Sequence, residues 1–450
     1  MDRIHIKKEF VMGTYVALKV RNLILWEWNS CFDKNMLGFF FTDNDLVTNE
    51  NKKYDIHDLD EEAHTEYKYT TTIKKAIERL DSLGFTLKKA ESEFNKNKYS
   101  CLDYYDIICR LKKNTDNYDI IQEERTKKYV TFSKWRNSVL RYARYGLENG
   151  LSLRYEGEYD SYLLPKTECD KIVFESLTNS QISYYGCLYE EYNPMYTIRL
   201  ILDICDPNEE MFVDITEMVG WTYSSIDDMR LDEPNEKTIV LVEGTNDKAI
   251  LEFAIKHIYP HLYDLYYFMD FELDSGKKRK GGVDTILINL KAFVYSKLPS
   301  RFIGIFDNDT AGQHAMKRLM YDIGKLPDNV RAICYPNIQR ANRYPTIGMN
   351  GKIVMDNING RACSIELYLP DFLLKTGMVY PPIEWESRMK TKIGNEEIQE
   401  YQGAVSHKAE IENNFKEYKK AIEKGKEVFD ANDWSEMKKL LDSIIYAFHA

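Results

Sequence analysis

The chain has 450 residues, 44% of them hydrophobic, and a formal net charge of -11. That length exceeds one comfortable core, because single cores stop growing at roughly 250 to 300 residues, so two to four domains are expected. The acidity excludes a protein that coats nucleic acid by bulk attraction; any polyanion has to be met by a local basic surface or through metal ions.

The N-terminus, "MDRIHIKKEF", has no apolar stretch of the kind a leader needs, and no run of about 18 apolar residues follows anywhere, so a cytoplasmic protein without a membrane span is expected. Residues 1–62 are strand-like. "YVALKVRNLILWEW" and "LGFFFTD" carry β-branched and aromatic residues and run into the turn-forming "TDNDLVTNENKKYD", which predicts a small sheet. Residues 63–235 change to a mostly helical pattern. In "TIKKAIERLDSLGF", Ile73, Ile77, Leu80 and Leu83 share one helix face and Gly84 stops it, while "VTFSKWRNSVLRYARYGLENG" repeats the habit. The stretch from 156 is mixed and rich in tyrosine, and it ends in the polar "DDMRLDEPNEK", read as a linker.

Residues 236–375 alternate short apolar runs with helical patterns. Thr238 to Val242, "LYYFMDF", Phe302 to Phe306 and "VRAICY" read as buried strands. Asp247 to Ile258, "VDTILINLKAFVY" and Ala311 to Asp322 read as helices, with Thr245 or Asn246 and then Thr310 at their starts. Strand and helix in alternation imply right-handed crossovers and a Rossmann-like parallel sheet with flanking helices. Residues 376–450 are expected to be a helical segment, in which Leu440, Leu441, Ile444, Ile445 and Phe448 form an apolar face. That face suits either the protein's own core or a contact with another chain. The eight cysteines are scattered without a C-x-x-C pair, which argues against a zinc knuckle or disulfide framework.

Two of the apolar runs drive straight into acidic residues: "LVEGTND" ends the first strand and "FDNDTAG" ends the third. In an open parallel sheet ligands gather outside the carboxyl ends of the strands, so Glu243, Asp307 and Asp309 are expected at one edge. Carboxylates that converge without cationic partners repel one another, and burial drives protons onto them unless a cation intervenes. A cluster of Glu and Asp without His or Cys suits Mg²⁺ or Mn²⁺, which take oxygen ligands and complete their shell with water and phosphate. Asp247 is readable either as a further ligand or as an ordinary acid in the first turn of a helix.

These two stretches resemble the TOPRIM domain, whose pattern is an E-G after the first strand and a D-x-D after the third, here Glu243, Gly244, Asp307 and Asp309. Asp247 fits the E-G-x-x-D variant of the nuclease branch found in overcoming-lysogenization-defect proteins. "CSIELYLP" is similar to the element that gives those nucleases a further acid, here Glu366, and "YQGAVSHKAEIENNF" resembles their terminal segment with a functional lysine, here Lys408. The first 230 residues look like the region found in HEPN/Toprim-associated bacterial proteins. The resemblance implies an α/β TOPRIM domain behind an N-terminal α+β, partly helical HEPN-like region. No histidine follows an arginine at the R-x(4–6)-H spacing of a working HEPN ribonuclease, so that region is expected to be a scaffold or oligomerising element.

The resemblance implies a metal-dependent nuclease acting on DNA or RNA, with Glu243, Asp307, Asp309 and Lys408 catalytic, Glu243, Asp247, Asp307, Asp309 and Glu366 around the metal, and bacterial antiphage defence as its setting. The P-loop pattern is absent; "GMNGKIV" has the wrong glycine spacing, so nucleotide-driven control comes from a separate subunit, an ATPase or other regulator, or is missing. The basic run Lys277, Lys278, Arg279 and Lys280 follows the second strand and suits backbone phosphates, or is simply a solvated loop; Arg340 and Arg343 are weaker candidates of the same kind. Three rivals stay open: a non-catalytic assembly subunit of a defence complex, a strand-transfer enzyme of the topoisomerase or primase type, and a nucleotide-processing enzyme acting on small phosphorylated ligands.

Overall fold

A computed structural model describes residues 15–29, 33–49, 65–113, 117–150, 164–167, 169–171, 173–174, 189, 191–221, 225–232, 234, 236–271, 282–348 and 350–449. The chain divides into two units, 1–233 and 234–450. Among the described residues no helix is long and apolar enough to cross a membrane. Six cysteines in the described part are free thiols.

The first unit is built on a five-stranded antiparallel sheet. Its strands are β1 (Tyr15–Val20), β2 (Leu23–Asn29), β3 (Leu46–Asn49), β4 (Glu66–Thr72) and β5 (Glu210–Asp214), in the order β2-β1-β5-β4-β3. The longer helices among the described residues are α1 (Ile73–Ser82), α2 (Leu87–Lys112), α3 (Tyr118–Lys127), α4 (Phe132–Asn149) and α5 (Pro194–Leu202). Threonine starts three of them: Thr72, Thr86 and Thr131 each accept the backbone N–H three residues on, at 3.4, 3.3 and 3.4 Å. Gly84, at φ 93°, ends the turn after α1 in a conformation that favours glycine.

Two expectations are corrected here. The boundary at 62 does not hold, because β4 and β5, which fall in the supposedly helical 63–235, complete the sheet begun by β1 and β2. "LGFFFTD" is not a strand but the end of a short helix and a turn, and Phe40 and Phe41 are buried from there. The core gathers Phe94, Phe132, Trp135, Tyr189 and Tyr192, with Phe94 4.9 Å from Trp135 and 5.0 Å from Tyr189 between ring centres.

The second unit carries a four-stranded sheet, all parallel, of β6 (Thr238–Leu241), β7 (Tyr266–Met269), β8 (Phe302–Phe306) and β10 (Val330–Cys334), in the order β10-β8-β6-β7. Between β8 and β10 lies the two-residue strand β9 (Asn308–Asp309). The helices between the strands are α6 (Thr245–Ile258), α7 (Val283–Ser296) and α8 (Thr310–Ile323). α7 and α8 share a core with the sheet through Ile286, Leu290, Ala315 and Leu319, and Gly304 on β8 leaves the room Leu290 fills.

The segment from 376 is not purely helical. After β11 (Tyr344–Ile347), β12 (Ile353–Asp356) and β13 (Ala362–Cys363) come two long strands, β14 (Ile383–Ile393) and β15 (Glu396–Val405), joined at Gly394, φ 58°. They form a second sheet, β12-β11-β14-β15. Only then follow α9 (Lys408–Glu423) and α10 (Ser435–Ile445). The apolar face of α10 is buried within this unit, where Phe253 of α6 meets Trp434 and Phe415 at 5.6 and 5.5 Å and Arg331 covers Phe448 at 4.8 Å.

Candidate functional site

β6 and β8 are neighbours in register, Leu241 opposite Gly304, so the residues that follow them leave the sheet at the same edge. The Asp307 N–H donates to Glu243 Oε1 at 3.4 Å, a direct link between the two acidic stretches. Gly244 is the N-cap of α6 and gives no side-chain bond, so neither Thr245 nor Asn246 caps this helix; Asp247 sits in its first turn. Asp309 is likewise the N-cap of α8 in place of Thr310, its Oδ1 accepting the Gly312 N–H at 2.7 Å. Pairing of β9 with β13 brings the chain to Glu366, on the turn Ile365–Tyr368, and β15 delivers Lys408 as the first residue of α9.

The electrostatics place these groups in one neighbourhood. Burial pushes the Glu243 carboxyl up to about 8, with Asp309 and Asp247 adding to the rise. Asp247 is raised to about 7 by burial first and Glu366 second. Asp307 stands well above the usual carboxylate range, again by burial and then by Glu243, Asp247, Asp309 and Glu366. Asp309 is raised by burial against the hydrogen bonds it accepts. For Lys408 burial works to lower the ammonium, yet Glu366, Asp307 and Asp247 more than offset it and the net direction is upward.

The acids are not equivalent in what already holds them. Glu366, 0% exposed, takes Ser364 Oγ at 2.6 Å and the Lys408 ammonium at 2.9 Å, so both of its oxygens are engaged. Asp309 is held by Gly312 and by the Gln402 side-chain amide. Asp307 differs: its Oδ1 is buried with no hydrogen-bond partner. An orphaned carboxylate oxygen among other carboxylates fits a hard cation with oxygen ligands. Among the described residues no group of three or more acidic, histidine or cysteine side chains is spaced to hold a metal ion as it stands, so a cation here would have to draw these carboxylates closer together.

All six of the acidic and lysine candidates thus lie together at the edge of the parallel sheet. The basic run Lys277, Lys278, Arg279 and Lys280 lies outside the described residues. Arg340 pairs with Asp371 at 3.1 Å and donates to the Leu369 carbonyl at 3.1 Å. Sequence reasoning missed Gln402 and Ser364, which hold two of the acids, and the burial of His314. That histidine is 1% exposed, with Nδ1 2.9 Å from Thr391 Oγ1 and Nε2 3.0 Å from Glu400 Oε2, and ties α8 to the β14–β15 hairpin.

Gly312 shows how tightly Asp307 is seated. A Cβ there would stand 2.1 Å from the Asp307 carbonyl oxygen, which is backbone and cannot swing aside. Gly312→Ala is expected to cost ~1–3 kcal/mol through overpacking and to displace Asp307. A thermal scan beside a cleavage assay checks both; an unchanged Tm with full activity would contradict the packing.

The family described as HEPN/Toprim N-terminal domain 1 matches residues 12–237, half of the chain and nearly all of the first unit. No curated protein and no solved structure matches. The family description ties the chain to a nuclease-like or nucleic-acid-related role. On this match the chain belongs to the HEPN/Toprim N-terminal domain 1 family, as a HEPN/Toprim-associated protein with a mixed α/β second unit built on a parallel sheet.

Proposed function

We propose that the second unit is a TOPRIM-type, divalent-metal-dependent nuclease that hydrolyses phosphodiester bonds. The observation that carries this reading is the buried, unpartnered Asp307 Oδ1 in a neighbourhood shared by Glu243, Asp247, Asp309 and Glu366. Magnesium or manganese, held by Glu243, Asp307 and Asp309 with Asp247 beside them, would supply Lewis-acid activation of water and phosphate.

The chain's own residues account for the rest. Glu243 and Asp247, with carboxyls near 8 and 7, are groups on the rim able to take up and release a proton close to neutral pH. Gly312 and Gln402 fix the Asp309 carboxylate in one orientation, which is positioning. Lys408 sets a positive charge beside the rim, where a phosphate brings negative charge, and Glu366, itself held by Ser364, keeps that lysine in place. Glu366 therefore supports the site through Lys408 more than through open ligand oxygens.

The test is incubation of the purified full chain with plasmid DNA, single-stranded DNA and total tRNA, in Mg²⁺, in Mn²⁺ and in EDTA. Cleavage of at least one polymer that needs the divalent ion is expected, and its absence with all three overturns the reading. Lys408→Met is expected to lower the rate ~10- to 100-fold and to lower Tm, because Glu366 is left buried without its cation. Adding Glu366→Gln to that variant is expected to recover the Tm and not the rate. Recovery of both would show that the pair has no part in the chemistry.

A further inference from the structure

A cavity of about 680 Å³ adjoins the D-x-D strand. It is lined by Asn308 and Thr310, which alternate with Asp307 and Asp309. Extended chain turns alternate residues to opposite sides, so β9 stands as a wall with the carboxylates on one side and this cavity on the other. Five of its eleven lining residues carry carboxamides, Asn308, Gln313, Asn337, Asn359 and Gln399, of which Asn359 is already bonded to Ile338 and Asn342. Asn308, buried at 2% exposure, accepts from Gln313 Nε2 at 3.1 Å and donates to Asn337 Oδ1 at 2.9 Å. The Gly360 N–H donates to the Asn308 carbonyl at 3.1 Å and closes that corner.

These features select a ligand chemistry. The volume falls within the range of roughly 300 to 1,000 Å³ of sites for small organic groups. Carboxamides offer a donor and an acceptor side by side, which is how side chains read the edge of a nucleobase. Tyr401, 37% exposed, presents a ring, and Arg361, 4.4 Å above Trp385, presents a flat cation. Both are surfaces on which bases stack. Lys317 adds an exposed positive charge at the same cavity, while the carboxylate on its wall, Glu400, is taken by His314 at 3.0 Å. A fully paired base has its edge occupied and its faces stacked, and enters no such cavity without leaving the helix.

We propose that this cavity receives an unpaired nucleobase of the strand being cut, so that the enzyme acts on single-stranded or locally opened nucleic acid. The inference rests on the nuclease reading for its biological sense, but its test reads binding separately. The full chain in EDTA is titrated with a short single strand carrying 2-aminopurine at its centre, with the same base in a blunt hairpin, and with the free 2-aminopurine nucleotide, each in DNA and in RNA form. Fluorescence is expected to report single-strand binding roughly 5- to 150-fold tighter than hairpin binding, the worth of about one stacked base.

Asn337→Ala and Gln399→Ala change exposed residues, the first also removing the acceptor of the buried Asn308 amide, and are expected to erase most of that preference. In cleavage they are expected to raise KM at unchanged kcat. Equal affinity for strand and hairpin, or variants without effect on binding, overturns the proposal. Free nucleotide bound as tightly as the strand also overturns it, and assigns the cavity to a soluble nucleotide instead. Strand preference that Asn337→Ala removes, in a protein that cuts no polymer, leaves the cavity standing and defeats only the nuclease reading. Cleavage that ignores strandedness and Asn337→Ala does the reverse.

Discussion

Asp307→Asn is expected to reduce divalent-dependent cleavage by roughly 10²- to 10³-fold or more while leaving the fold intact, and the double change Asp307→Ala with Asp309→Ala to remove it. Asp307 Oδ1 is a buried carboxylate oxygen with no hydrogen-bond partner. An amide has nearly the same shape, so packing against the backbone at Gly312 is preserved, yet it brings no negative charge for a cation. It also relieves the repulsion with Glu243, Asp247 and Asp309 that holds Asp307 far above its ordinary range. The metal-free variant is therefore expected to melt at or above the wild-type temperature at neutral pH. Activity loss with a raised or equal Tm is a signature that a merely structural aspartate would not give. Residual cleavage above about a tenth of wild type would remove Asp307 from the chemistry.

How much of this was legible beforehand depends on the range of the contacts involved. The two central parallel strands were readable because both of their faces are largely buried and each so appears as a run of apolar residues, Thr238–Leu241 and Phe302–Phe306. The edge that gathers Glu243 and Asp307 follows from that alone, since adjacent parallel strands end together. Glu366 and Lys408 could be nominated only by resemblance, because nothing local in "CSIELYLP" or "SHKAEIE" says that the two form an ion pair.

The β14–β15 hairpin escaped because its outer positions are charged: Lys390, Lys392, Glu396, Glu397 and Glu400 give a composition that suits a helix equally well. The signal that would have found it is the Gly394–Asn395 step between two alternating runs, a turn dipeptide where a helix has no use for one. With the hairpin unseen, Gln402, Thr391 and the buried place of His314 were out of reach, as all three depend on it. In the first unit the same limit applies to β5, which pairs with β4 across a long helical insertion that no local pattern reveals.

Metal-free protein is expected to lose thermal stability as pH rises from about 5 to 8, and Mg²⁺ or Mn²⁺ to restore it. Glu243 and Asp247 are held at about 8 and about 7 in the fold, above the usual ~4 for such groups in an unfolded chain. Below the unfolded value both states carry the proton and the fold bears no penalty. Above it the unfolded chain releases protons that the folded site retains, so stability falls until the folded value is passed.

A divalent cation reverses this by taking the place of the protons, and its stabilising effect therefore grows with pH. At a hundred times its dissociation constant the ion adds ~2.7 kcal/mol, which for a unit of this size raises Tm by roughly 5–10 °C. Calorimetry of the full chain at pH 5, 6.5 and 8, with EDTA or with the ion, reads the effect, and Asp307→Asn identifies which transition belongs to the site by losing the shift. A metal-free Tm that climbs between pH 5 and 8, or an ion that shifts neither transition, would mean that these carboxylates are neutralised from within the chain, with Lys408 as the cation that does it.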